Sequence, residues 1–190
     1  MEAAIDEFAE HGFSGARVDR IAHRAGVNKA MIYYHFSSKE KLYQSIFDSQ
    51  LGKLGAAMAP PIEPAPDLEA VLLRISEFHH AFLTDGRLRA LFLHEIADGG
   101  SRLLAALTMV LSMHGLPQKL KNILDEGIRA GRYRPVDSRQ ALLSFIGMNM
   151  FYLFMAPIAN SIWEITDEQT FCAERPRQIV DLFLRGLEIR

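Results

Sequence analysis

The chain has 190 residues, 49% of them hydrophobic and 23% charged, with a net charge of −2. That composition supports a buried core and excludes a disordered or fibrous chain. The single cysteine, Cys172, excludes an internal disulfide framework and an all-cysteine zinc site. The opening MEAAIDEF has neither the basic nor the apolar region of a signal peptide, so a reducing, cytoplasmic setting is expected.

Apolar residues recur at helical spacing from the start. Ala4, Ile5, Phe8 and Ala9 form a first stripe, which Gly12 is expected to end. Val18, Ile21, Ala22 and Ala25 form a second, closed by Gly26 as a left-handed residue. Asn28 is a natural cap for a short third helix in which Met31 and Ile32 are core residues and Phe36 joins Ile32 at i+4. Ser37, with Glu40 three residues on, reads as a capping box opening a fourth helix that carries Leu42, Tyr43, Ile46 and Phe47.

Residues 59–66, APPIEPAP, break the pattern and read as a connection. Beyond it, Asp67 opens a fifth helix, bearing Leu68, Val71, Leu72, Ile75, Phe78 and Phe82, that ends at Asp85-Gly86. Shorter helices follow through Ile96, Leu111 and Ile128, bounded by Gly99-Gly100, Gly115 and Gly131. Asp137 begins a long helix with no charged residue from Gln140 to Trp163. Its length would cross a bilayer, but Gln140, Ser144, Asn149, Pro157 and Asn160 fit a helix buried in protein or in a subunit interface better. The last helix is expected from Pro176, with Ile179, Leu182, Phe183 and Leu187 as its stripe. No alternating strand pattern or internal repeat is present. The expected fold is all-α, with a small N-terminal unit at residues 1–50 and a larger helical unit at 51–190.

Charge is unevenly distributed. From His11 to Phe47, six lysines and arginines face only Asp19 and Glu40, whereas Glu2, Asp6, Glu7 and Glu10 crowd the first ten residues. A locally basic segment on an acidic chain fits an anion-binding module, and equally a solvated helix face. Ala25-Gly26-Val27-Asn28 is a tight turn between two short amphipathic helices, the helix-turn-helix arrangement. Asn28, Lys29, Ala30, Tyr33 and Tyr34 fall on the rim or outer face of the third helix. The tyrosine hydroxyls and Lys39 are suited to phosphate oxygens.

In these residues the chain resembles the TetR-type transcriptional regulators. Ala4…Phe8…Gly12-Phe13, Val18…Ile21-Ala22…Ala25-Gly26-Val27-Asn28-Lys29, Ile32-Tyr33-Tyr34-His35-Phe36 and Lys39-Glu40…Leu42 carry the resemblance, over about the first fifty residues. It implies a homodimeric regulator, generally a repressor, whose two heads bind a palindromic operator and which a small effector in the C-terminal domain releases. It implies base-reading at Asn28, Lys29, Ala30 and Tyr34. It implies phosphate contact at Tyr33, His35 and Lys39, with Arg17 and Val18 at the start of the second helix. The family's usual Ser or Thr there is replaced by Ala16-Arg17-Val18, so a capping hydroxyl is lost. The four acids near the start are expected to weaken DNA binding.

The second half is rich in Phe and Met at helical spacing. Such residues are ordinarily core, but they also line adaptable apolar pockets. The candidate effector contacts are Phe78, Phe82, Phe92, Met113 and Phe151, with His94, His114 and Asn149 as polar groups. A link from Phe82 and Phe92 to the head is expected through Leu51–Leu54. No metal is expected, because no His pair stands at i, i+4. No cofactor is expected, and no enzyme, because a nucleophile elbow, a phosphate loop and a dinucleotide fingerprint are all missing. The alternative reading is a helical small-molecule-binding protein without sequence-specific DNA binding.

Overall fold

The computed structural model describes residues 1–57 and 67–189, without the side chains of 54–57, 82, 83, 114 and 153. All regular structure among them is α-helical: α1 (Glu2–Gly15), α2 (Val18–Ala25), α3 (Lys29–Phe36), α4 (Lys39–Ala57), α5 (Leu68–Thr84), α6 (Gly86–Ala97), α7 (Ser101–His114), α8 (Leu116–Arg129), α9 (Ser138–Ile162) and α10 (Glu168–Arg185).

The helices gather into two compact units. The first joins Met1–Gly55 to Asp85–Met113, and the second joins Ala56–Thr84 to His114–Arg190. This differs from the division expected at residue 50, because α6 and α7 pack with the head. Leu91, Leu103 and Ala106 are buried there. Arg87 of α6 reaches Glu2 and Asp6 of α1 at 2.9 and 3.0 Å.

In the first unit the core is built from Ile5, Phe8, Ile21, Ile32, Leu42, Tyr43 and Ile46, all buried. Phe8 packs edge-on against Tyr43 at 4.7 Å between ring centroids, and Tyr43 against Phe47 at 5.1 Å. Gly12 kinks α1 rather than ending it. Its φ of 65° and ψ of 178° belong to a region essentially confined to glycine. A Cβ there would also meet the His94 ring at 3.4 Å.

The second unit packs α5, α8, α9 and α10 around Leu72, Ile75, Leu124, Phe145, Val180 and Phe183. Asp137 caps α9 as expected, accepting the Arg139 and Gln140 backbone N–H groups at 2.9 and 3.4 Å. The helix bends by 67° between its Ser138–Tyr152 and Phe154–Ile162 arms. Pro157 accounts for the bend, since it cannot donate to the carbonyl of residue 153 and its ring crowds that carbonyl. Among the described residues, no single helix is long and apolar enough to cross a membrane.

Two expectations about α10 are corrected. The helix begins at Glu168, eight residues before Pro176, because Asp167 caps it by accepting the Thr170 N–H at 3.0 Å. Pro176 lies inside it, buried. The expected stripe of Ile179, Leu182, Phe183 and Leu187 does not share one face: Phe183 is buried against Phe145 at 5.1 Å with Ile179 and Leu187 also buried, whereas Leu182 is 65% exposed.

Candidate DNA interface

The turn between α2 and α3 is built by local chemistry. Gly26 adopts φ 65° and ψ 29°, the left-handed conformation that costs glycine nothing. The chain reverses there, with Val27 N–H donating to Ala22 O at 3.0 Å and Gly26 N–H to His23 O at 3.2 Å, the two bonds of a Schellman closure. Asn28 then accepts the Ala30 N–H at 2.9 Å and caps α3. Ser37 ends that helix at φ 64°, and its N–H returns to Tyr33 O at 2.8 Å. The cap of α4 is Ser38 rather than Ser37, since Ser38 Oγ accepts the Lys41 N–H at 3.1 Å. The tight turn at Ser37, closed by Ser38 N–H donating to Phe36 O at 2.7 Å, moves the cap one residue along.

These constraints hold α3 on the surface. Ile32 faces inward, buried. Tyr34 is 85% exposed, and Lys29, Ala30, Tyr33 and His35 are exposed beside it. Asn28 is also exposed, with its carbonyl oxygen occupied by capping. Arg17 is exposed at the start of α2. Lys39 at the start of α4 sets its ammonium 4.8 Å from the Phe13 ring centroid. Val18 corrects the expectation for that pair. Its side chain is in the core, so it offers no contact beyond its backbone. Met31 is half-exposed rather than core and lines a shallow apolar hollow of about 240 Å³ with Ile21, Val27, Ile32, Phe36 and Leu42. Phe36 is half-buried in that wall.

Sequence reasoning missed the residues that hold this surface in place. Glu7, fully buried, accepts the Arg17 N–H at 2.9 Å and Arg20 Nε at 2.7 Å. It sets a negative charge beside the first turn of α2, where the helix dipole favours one. Burial pushes its carboxyl up, but the bonds from Arg17 and Arg20 and the nearby His11 outweigh that and hold it below the ordinary glutamate range. Glu95, also fully buried, accepts the Arg102 and Leu103 N–H groups at the start of α7. The Tyr43 hydroxyl is buried with no hydrogen-bond partner among the described residues. Burial and the neighbouring Glu95 charge push its ionisation far above the ordinary tyrosine range.

The charge pattern resolves in the same way. Glu2 and Asp6 pair with Arg87, Glu7 with Arg20, and Glu10 with Arg24 at 3.1 Å. The four acids near the start therefore face protein cations, which reduces their expected repulsion of DNA. Arg20 and Arg24 are exposed but paired with Glu7 and Glu10, and Lys29 is exposed and paired with Asp19.

Residues 1–46 match the family described as "Bacterial regulatory proteins, tetR family". The fatty acid metabolism regulator protein of Bacillus subtilis is 30% identical over 189 residues, covering 98% of this chain and 93% of that protein. The chain belongs to the tetR family. Like the relatives it matches, this tetR-family protein is a transcriptional regulator. The HTH-type transcriptional repressor SCO4008 of Streptomyces coelicolor is 40% identical over 81 residues, 43% of this chain and 41% of that protein. The FadR regulator of Bacillus subtilis, solved in complex with stearoyl-CoA, shares the fold with a TM-score of 0.73 at 23% identity, covering 98% of this chain and 97% of that one.

The candidate effector contacts divide between the units. Phe92, His94 and Met113 belong to the first, and Phe78, Asn149 and Phe151 to the second. The side chains of Phe82 and His114 lie outside the described residues. His94 packs on α1 at Gly12. Asn149 is buried and donates to Phe145 O at 2.9 Å. Met113 and Phe151 are 70% and 62% exposed. Among the described residues, no three His, Cys, Asp or Glu side chains gather to hold a metal.

Proposed function

We propose that this tetR-family regulator is a repressor that binds palindromic operator DNA as a homodimer and is released by a small, mostly apolar effector. One observation carries the DNA-binding reading. A rigidly capped α3 presents Lys29, Ala30, Tyr33 and Tyr34 together on one exposed face. A recognition helix enters the major groove by such a face, while residues at its edges grip phosphates. Operator contact falls to Asn28, Lys29, Ala30 and Tyr34 for bases, and to Arg17, Tyr33, His35 and Lys39 for phosphates. Action on the genome places the protein in the cytoplasm, and the reading assigns it no catalytic chemistry.

Repression is supported by the name of the Streptomyces relative. The effector class is supported by the stearoyl-CoA bound to the Bacillus subtilis structure, a ligand with a long apolar chain. Within the second unit, Phe78 remains the candidate apolar contact and Asn149 the candidate polar one. Homodimerisation is supported by the exposed apolar side chains of α9 and α10, Ile158, Ile162 and Leu182 among them.

The test is a gel shift on the DNA upstream of the chain's own gene. Tyr33→Ala and Lys39→Ala are expected to weaken binding to every sequence, with Lys39→Ala lowering the salt slope by about 1. Undiminished operator affinity in the double variant would remove these residues from the clamp. Acyl thioesters added to the shift are expected to release the DNA, and release by small anions alone would refute an apolar effector.

A further inference from the structure

We propose that Asp19 and Lys29 act as one base-reading pair that selects a G·C base pair in each operator half-site. The inference rests on the DNA-binding reading above and adds a residue, Asp19, that the resemblance does not assign. Lys29 is the first residue of α3, immediately after the Asn28 cap. Residues at the N-terminal end of a recognition helix are those that reach base edges. The Lys29 ammonium is paired in this structure. It lies 2.7 Å from Asp19 Oδ1 on α2 and 5.9 Å from the centroid of the Tyr33 ring. Both side chains of the pair are about half-exposed, at 47% and 57%.

The pairing leaves defined capacity on each partner. An ammonium has three donors, and one is given to Asp19, leaving two. The carboxylate accepts from Lys29 alone among the described residues, and its second oxygen is uncommitted. The pair thus presents two donors beside an acceptor. In the major groove guanine offers two adjacent acceptors, N7 and O6, and its cytosine partner offers the N4 amino donor next to them. An A·T pair sets its amino donor between two separated acceptors, so two neighbouring lysine donors are not matched. A carboxylate on this face repels phosphate, so its place there favours a base amino group as its target.

The competing reading is an exposed ion pair that only screens Lys29. Such pairs contribute little, and removing the acid would tighten binding to all DNA equally. The two readings separate in one experiment on the full-length protein. Binding sites are selected from randomised duplexes with wild type, Asp19→Ala, Asp19→Asn, Lys29→Met and the Asp19→Ala/Lys29→Met double variant. Gel shifts at fixed salt then compare each protein on the wild-type consensus and on the same site with each G·C pair replaced by A·T.

Wild type is expected to lose about tenfold to a hundredfold in affinity at one symmetric G·C position. Asp19→Ala and Lys29→Met are expected to reduce that discrimination to about threefold or less, and the double variant to lose no more than either. Asp19→Asn is expected to move the preference towards adenine, which an amide reads through N6 and N7. Thermal melts establish that each variant is folded. Discrimination intact in Asp19→Ala, with affinity raised or lowered equally on both sites, overturns the proposal. So does a wild-type consensus lacking a G·C pair that is sensitive to Lys29→Met. Both outcomes leave operator binding standing, whereas failure of wild type to select any consensus removes the DNA-binding reading itself.

Discussion

Glu95 and Arg102 close the corner between α6 and α7. The buried Glu95 carboxylate accepts the Arg102 backbone N–H at 2.9 Å and its guanidinium at 3.2 Å. The same guanidinium lies 3.9 Å from the Phe13 ring centroid, and the Lys39 ammonium lies 4.8 Å from that ring. A buried acid in one helix therefore fixes a cation that contacts the aromatic platform of a candidate phosphate-gripping lysine.

Glu95→Ala is expected to destabilise the first unit by about 2–3 kcal/mol, the scale for hydrogen bonds to a buried charged group. Arg102 remains partly solvated, which keeps the loss below that of a sealed ion pair. Urea unfolding followed by circular dichroism measures it. A loss under 0.5 kcal/mol, on the order of an exposed substitution, would show that the carboxylate does not hold the corner.

Glu7 gives a pH prediction. Its carboxyl is held below the ordinary value of 4.5 in the folded chain and returns to that value when the chain unfolds. The unfolded state therefore binds the proton more readily as pH falls. The stabilisation is present above about pH 4.5 and is lost as pH drops through the depressed folded value. Glu7→Gln is expected to lower stability at pH 7 and to flatten the acid limb below pH 4.5. Parallel urea titrations from pH 3 to 7, with wild type and variant showing the same acid slope, would contradict this.

These two acids also mark the limit of what the sequence makes legible. Gly26, Asn28 and Asp137 were readable because a left-handed stop or a side-chain cap acts within three residues. Ile32 was readable because helical periodicity marks the inward face. Glu7 and Glu95 carry no such mark. Their partners lie 10 and 7 residues away across a turn, and an isolated acid in a helix ordinarily faces water. Asp19 and Lys29 meet only because the turn brings α2 and α3 together. Pro176 was misread because its preference for a first helical turn was outweighed by the Asp167 cap. The positions of α3 agree with the sequence reading except at Met31, which is half-exposed rather than core, and on α2 the apolar stripe takes the Val18 side chain inward.

Gly12 predicts a backbone effect at a distance from DNA. Ala at φ 65° and ψ 178° carries strain of about 1–3 kcal/mol. Its Cβ would also press on the His94 ring at 3.4 Å. Gly12→Ala is expected to lower thermal stability, and the companion change His94→Ala to relieve only the part due to crowding. Full rescue by His94→Ala would assign the whole effect to crowding and none to the backbone.

Leu182 and Phe183 are neighbours with opposite roles in assembly. Phe183 fills the second unit's core beside Phe145, so Phe183→Ala is expected to cost about 3–5 kcal/mol. A charge at that position would unfold the unit and report nothing about dimerisation. Leu182 and Ile158 expose apolar side chains on α10 and α9. In a two-fold interface built from these helices, each substitution acts twice, once from each protomer. Leu182→Glu and Ile158→Glu are expected to raise the dimer Kd by about tenfold or more, with the melting curve at monomeric concentrations unchanged. Sedimentation across nanomolar to micromolar protein measures the first quantity and circular dichroism the second. Operator affinity should fall in step with the dimer, because one head alone forfeits half of the phosphate and base contacts. Wild type that sediments as a monomer throughout, or charged variants that dimerise as tightly as wild type, would exclude this face as the interface.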